Sequence, residues 1–184
     1  SDPGTIDPGD TAEITVTVTT PSLIDFETFG GNVIVRVVNT TIEDTFNLQI
    51  TVSPDVCDFG QAGNALSIEI EDPDADDDFG PGDKINVRVN ADNNGLVDIR
   101  TQIEAFLFTE DGRDIASCAS SVVNIEDSED EDFECTMFVP LDPREIDEDD
   151  DIILFVKAFD DDNEGAQCTQ ESINLNVELE KRKL

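Results

Sequence analysis

Four cysteines and a large excess of carboxylates are the residues of this chain with chemistry to offer. Cys57, Cys118, Cys135 and Cys168 are even in number, which in an exported β protein reads as structural disulfides. Cys118 and Cys135 lie equidistant from an acidic turn centred near Glu126-Asp127, so a tight hairpin would set them face to face. Cys57 and Cys168 each precede an outer strand, at 65–71 and 171–180, and meet if those strands run side by side. Of the possible connectivities, this spacing favours Cys118–Cys135 with Cys57–Cys168. A Cys₄ zinc site is the competing use, weakened by the absence of any Cys-x-x-Cys pair.

The acids come in runs. Residues 71–78 read Glu-Asp-Pro-Asp-Ala-Asp-Asp-Asp, 126–134 hold seven acids in nine positions, 147–151 read Asp-Glu-Asp-Asp-Asp, and 160–164 read Asp-Asp-Asp-Asn-Glu. Hard oxygens at short spacing suit Ca²⁺, although no run has the EF-hand's Gly at the sixth position and Glu at the twelfth. Asp74, Asp76 and Asp78 form one candidate ligand set; Asp160, Asp161, Asp162 and Glu164 form the other. Their loops follow strands directly, and a strand end holds ligands better than a free turn. The plain alternative is a solvated acidic face suited to a saline habitat, in keeping with 4 Lys against 6 Arg. Asn39-Thr40-Thr41 is a sequon and marks Asn39 as a glycosylation acceptor in an exported protein.

Catalytic constellations are poorly supported. The chain has no His, which removes the commonest general base and any Ser-His-Asp set. No phosphate loop occurs, and carboxylate pairs are so abundant that none stands out. The expectation is a protein that is not an enzyme. With 45 acidic and 10 basic residues the formal charge is −35, which disfavours nucleic acid as a partner and makes the chain repel itself. Absent Tyr and Trp argue against sugar stacking. No apolar run approaches the roughly 20 residues of a membrane span. The chain begins at Ser1 without an initiator Met, as a processed protein or a piece of a longer one would.

The elements that must position these residues are strands. Pro8-Gly9-Asp10 and Pro81-Gly82-Asp83 each open an alternating apolar run, Ala12-Ile14-Val16-Val18 and Ile85-Val87-Val89. A turn feeding a half-buried strand, repeated, is the mark of tandem β-sandwich modules. Alternation predicts strands at 12–19, 32–39 and 45–53, then at 65–71, 84–90, 97–108, 114–125, 132–139, 151–159 and 171–180. The run 151–159 is apolar on both faces and reads as central or as covered by a neighbouring domain. The fold class expected is all-β: an antiparallel immunoglobulin-like β-sandwich of about seven strands at 56–184, preceded by an incomplete β unit at 1–55. Three strands bury little core, so the first unit either packs on the second or receives a strand from another chain.

The string Phe79-x-Pro81-Gly82-Asp83-x-Ile85-x-Val87-x-Val89, followed by Asn93-Asn94-Gly95, resembles the adhesion-type immunoglobulin-like repeats of archaeal cell-surface proteins. Leu154-Phe155-Val156-Lys157-Ala158-Phe159-Asp160, with Asn163-Glu164 and Gln167-Cys168 after it, is similar to surface-layer-like proteins of small-celled archaeal lineages. The likeness covers roughly 57–183. It implies an extracytoplasmic, repetitive, non-enzymatic surface protein and no defined ligand.

The expected function is an extracellular structural subunit of a cell-surface layer or filament, stabilised by cations, with itself as head-to-tail partner. The open edge of the first unit is the expected acceptor. The strand ending Leu179-Glu180-Lys181-Arg182-Lys183-Leu184, or a neighbour's N-terminal arm, is the expected donor. The alternative is a monomeric adhesin or ligand-binding module of the cell surface.

Overall fold

A computed structural model describes residues 28–37, 40–52, 54–141 and 152–177, together with Asp10 and Thr17. Apart from Thr17, the strand expected at 12–19 lies outside the described residues, as does the sequon residue Asn39. The described residues contain strands and no helix. They therefore include no helix long and apolar enough to cross a membrane.

Strands β1 (Thr28–Arg36) and β2 (Glu43–Thr51) pair antiparallel as a separate two-stranded sheet. The expected strands at 32–39 and 45–53 correspond to them with shifted ends. The remaining strands are β3 (Leu66–Asp72), β4 (Asp78–Phe79), β5 (Lys84–Asn93), β6 (Ile99–Thr109), β7 (Asp114–Ala119), β8 (Val123–Ile125), β9 (Asp130–Phe138), β10 (Ile152–Asp160) and β11 (Cys168–Val177). They form two sheets, β4-β11-β10-β6-β7 with β8 also on β6, and β3-β5-β9. Every pairing but the short parallel β4–β11 contact is antiparallel. The result is the expected immunoglobulin-like sandwich.

Alternation builds the core. In β5, Ile85, Val87, Val89 and Ala91 are fully buried, while Lys84, Asn86 and Arg88 face out. They meet Ile103, Ala105 and Leu107 of β6, Ile152, Leu154, Val156 and Ala158 of β10, and Leu175 of β11. Each Val, Leu or Ile side chain among them contributes about 1.5–3 kcal/mol by leaving water. β10 is central in its sheet, between β11 and β6; its inner face joins the core, and Phe155 and Phe159 on its outer face are also withdrawn from solvent. On its outer side Phe155 stacks edge-on against Phe108 at 5.6 Å.

Two short strands escaped the sequence reading. The run 114–125 is broken into β7 and β8, because Ser120 bonds Ile103 with both its N–H (2.9 Å) and its Oγ (3.0 Å). β4 spans only two residues, too few for any period to register.

The second Pro-Gly-Asp, at 81–83, proves to be a turn with a mechanism; Pro8 and Gly9 of the first lie outside the described residues. The Asp83 N–H donates to the Gly80 carbonyl at 2.9 Å, and Gly82 has φ +87°. That is a type II turn, in which Pro presets the first central residue and Gly takes the left-handed one. A Cβ at Gly82 would also strike Leu141. The Asp83 carboxylate accepts from the Gly80 N–H at 2.7 Å and locks the turn.

The hairpin β1–β2 repeats the pair β10–β11 register for register. Val33 faces Phe46 as Leu154 faces Ile173; Val35 faces Asp44 as Val156 faces Glu171; Arg36 faces Glu43 as Lys157 faces Gln170. Asn47-Leu48 answers to Asn174-Leu175 in the same register. β10, however, has β6 along its far edge and a facing sheet on its apolar side. Among the described residues β1 has neither, and Phe29, Val35, Phe46 and Leu48 on one face stay exposed, Phe46 to 56%.

Candidate functional site

Charge and sulfur converge at one end of β10 and β11. Register places Lys157 opposite Glu104 of β6 and Gln170 of β11. The turn from β10 to β11 carries Glu164, and the segment before β3 carries Cys57 and Asp58. Lys157 is only 4% exposed, although it projects from the outer face of its sheet. Its Nζ donates to Glu164 Oε1 at 3.0 Å, lies 3.2 Å from Glu104 Oε2 and 3.9 Å from Asp58 Oδ1, and sits 4.6 Å above the Phe159 ring. Burial alone would push the ammonium's pKa down. The hydrogen bond to Glu164 and the charge of Glu104 outweigh it and hold the pKa above the ordinary 10.5.

Glu164 Oε1 also accepts from the Asp58 N–H at 2.9 Å and lies 3.6 Å from Cys168 Sγ. Cys57 and Cys168 are joined, with Cα atoms 6.0 Å apart, and pack with Phe159 in a small buried cluster. Three further ties fix the same segment. Gln170 accepts from the Val56 N–H and donates to the Pro54 carbonyl. Ala62 and Cys168 exchange backbone hydrogen bonds at 2.9 Å. Gln167 accepts from the Ala65 N–H at 3.1 Å. The arrangement is a clamp that fastens the entering chain to the start of β11.

The second disulfide, Cys118–Cys135, has Cα atoms 5.8 Å apart. Both pairings are those that the spacing favoured, but the geometry differs from the one assumed. Cys118 lies on β7 and Cys135 on β9, the edges of different sheets, so the bond closes the sandwich along one side instead of crossing a hairpin. Cys57–Cys168 closes the other side, where β3 packs across from β11 without pairing to it. No free cysteine is left for a Cys₄ zinc site.

The candidate cation ligands are placed as follows. Arg100 pairs with Asp161 at 3.1 Å and Asp162 at 2.8 Å, and Glu164 is held by Lys157. The Asp160 carboxylate accepts from the Asp162 N–H. Asp74, Asp76 and Asp78 lie at the far end of β11. There the Asp76 N–H donates to the Asn174 carbonyl and Asp78 pairs with Asn176. Eight extended residues, roughly 26 Å, separate the two loops, so they cannot share an ion. Among the described residues, the one group of three ligand atoms within 4.8 Å is Cys57, Glu164 and Cys168. Its two sulfurs are consumed in a disulfide and offer no thiolate.

Sequence reasoning missed Lys157 and Asn93. The signal for the first was a lone cation inside a strand apolar on both faces. Asn93, which entered above only within the string Asn93-Asn94-Gly95, is 1% exposed. Its Nδ2 donates to the carbonyls of Val97, Ile125 and Glu126, and its Oδ1 accepts from the Gly95 N–H.

No protein-family model matches the sequence, and comparison with the curated proteins finds no match. Among solved structures, the sporulation control protein Spo0M of Bacillus subtilis is similar over 61% of this chain and 48% of its own, at 15% identity and a TM-score of 0.44. The CARDB domain of PF1109 from Pyrococcus furiosus is similar over 63% of this chain and 96% of its own, at 16% identity and a TM-score of 0.41. The DNA glycosylase AlkC of Pseudomonas fluorescens matches over 62% of this chain and 31% of its own, at 7% identity and a TM-score of 0.44. The chain thus spans about half the length of Spo0M and a third of AlkC. Likenesses this distant carry no functional argument.

Proposed function

We propose that this chain is a non-enzymatic structural module of an archaeal cell-surface layer or filament, which associates with further copies head to tail through the open strands of its first unit. One observation carries the reading. The hairpin copies β10–β11 but lacks, among the described residues, the β6-like neighbour and facing sheet that cover that pair. Charge supports it. Thr28–Val35 and Thr45–Pro54 contain no charged residue in a chain of net charge −35. The edge strands β3 and β9 carry Glu69, Glu71 and Asp72, and Asp130, Glu131, Asp132 and Glu134, which repel an added strand. Like-charged copies can therefore meet closely at the hairpin and hardly along β3 and β9. A head-to-tail contact that does not close generates fibres. Two disulfides fit an oxidising, extracytoplasmic setting. Cations relieve the self-repulsion; the carboxylates of Asp74, Asp76 and Asp78 do not lie within 4.8 Å of one another and would have to draw together to receive Ca²⁺.

Sedimentation velocity tests this. The full chain is expected to form concentration-dependent polymers, and residues 56–184, which hold the core and both disulfides, a monomer. A full chain that stays monomeric at high concentration with Ca²⁺ contradicts the proposal and favours a monomeric adhesin.

A further inference from the structure

Cys57–Cys168 joins the point where the chain enters the sandwich to the first residue of the strand by which it leaves. Cys168 opens β11 and Val177 closes it. The shortest covalent route from Cys57 to Val177 therefore runs through the disulfide and along β11 alone. The stretch between the cysteines, 111 positions apart in sequence, lies off that route with β3 to β10.

We propose that Cys57–Cys168 is a load-bearing bond: tension on the chain to either side of the sandwich passes through the disulfide and β11 and leaves the rest of the sandwich unstretched. β11 is suited to the task. An extended strand rises about 3.3 Å per residue against a limit near 3.6 Å, so it has almost no slack. Both points of loading lie on β11 itself. Pulling draws it taut and neither shears nor peels its ladder to β10.

The clamp serves the bond in turn. The hydrogen bonds between Gln170 and the 54–56 segment, the Ala62–Cys168 bridge and the Lys157–Glu164–Asp58 cluster hold the entering segment against β11. Cys57 and Cys168 are 3% and 2% exposed, so the folded clamp keeps reductant away. Without the bond, the same tension would run through every strand of the sandwich in sequence. This inference goes beyond the assembly proposed above, since it holds for any attachment at the two ends.

Single-molecule stretching of the full chain between handles at its two ends tests it. The oxidised protein and C57S/C168S are compared, and the variant is expected to extend further. The 111 steps of chain from Cys57 to Cys168, less the 17 that Cys118–Cys135 keeps closed, give roughly 340 Å at about 3.6 Å each. The gain comes as a step if the variant folds and smoothly if it does not. Equal extensions would remove the bond from the load path and overturn the proposal. A second handle at Asp111 in the oxidised protein shows what the bond spares. Load between the chain's start and Asp111 is expected to unfold the sandwich at forces that leave it intact when the two ends are pulled. A sandwich that resists equally in both geometries needs no such bond, and that too would overturn the proposal. Polymers play no part in either measurement, so assembly and load-bearing fail separately.

Discussion

Glu164 Oε1 stands 3.0 Å from Lys157 Nζ, and this contact ties the β10–β11 turn to the centre of the sheet. Both side chains are largely withdrawn from solvent, at 4% for the lysine and 12% for the glutamate. A buried pair of this kind is weak evidence of net stabilisation, but breaking it by removing one partner is costly. Lys157→Met keeps the length of the side chain and leaves Glu164, Glu104 and Asp58 with no cation among them. It should destabilise the sandwich by roughly 3–5 kcal/mol, read as a fall in the urea midpoint without a change in slope.

The same lysine sets a pH dependence. Its folded pKa is raised above the ordinary 10.5, so its charged form is favoured by folding. The stability this brings is fully present below about 10.5 and is lost as pH climbs through the higher folded value. Thermal melts at stepwise higher pH should show an alkaline loss of stability that Lys157→Met lacks. Parallel curves for the two proteins would show that Lys157 contributes nothing there.

Cys118–Cys135 closes a loop across 17 residues. Replacing both by Ala should cost about 3 kcal/mol, the chain-entropy value for a loop of this size. Because the bond holds β7 against β9 from different sheets, hydrogen exchange should quicken first along those two edges. Exchange unchanged in β7 and β9 would show the bond to be structurally idle.

Cations should act at two levels. Any salt screens a charge of −35. Site binding adds a further RT ln(1 + [L]/Kd) that depends on the ion. CaCl₂ is expected to raise the melting temperature more than NaCl of equal ionic strength. Asp76→Asn should abolish the difference if Asp74, Asp76 and Asp78 bind the ion. Equal shifts from the two salts reduce the acids to a solvated face.

Much of the fold was legible because strand alternation is a local signal. Ile85, Val87 and Val89 announced β5 and its buried side without any partner in view. The disulfide pairing was legible from spacing, yet its geometry was not. Cys118 and Cys135 bridge two sheets, a relation that depends on how the sheets stack and leaves no trace between the two positions. Lys157 was hidden for a similar reason. Its carboxylate partners come from another strand and two loops, which only the fold brings together. The likeness of β1–β2 to β10–β11 rests on Val33, Arg36, Asn47 and Leu48 holding the register of Leu154, Lys157, Asn174 and Leu175. Their loops differ in length, so no single offset in the sequence aligns both strands.

Asn32 is an exposed residue of β1 and lies opposite Asn47 of β2. Asn32→Glu puts a charge into the charge-free stretch 28–35 of β1 without disturbing the sandwich core. Negative-stain imaging of the full chain in Ca²⁺, beside Asn32→Glu, tests the central claim that copies join through the hairpin. Filaments from the native chain and dispersed particles from the variant are the predicted result. Dispersed particles from both, or filaments of equal length from both, would contradict it.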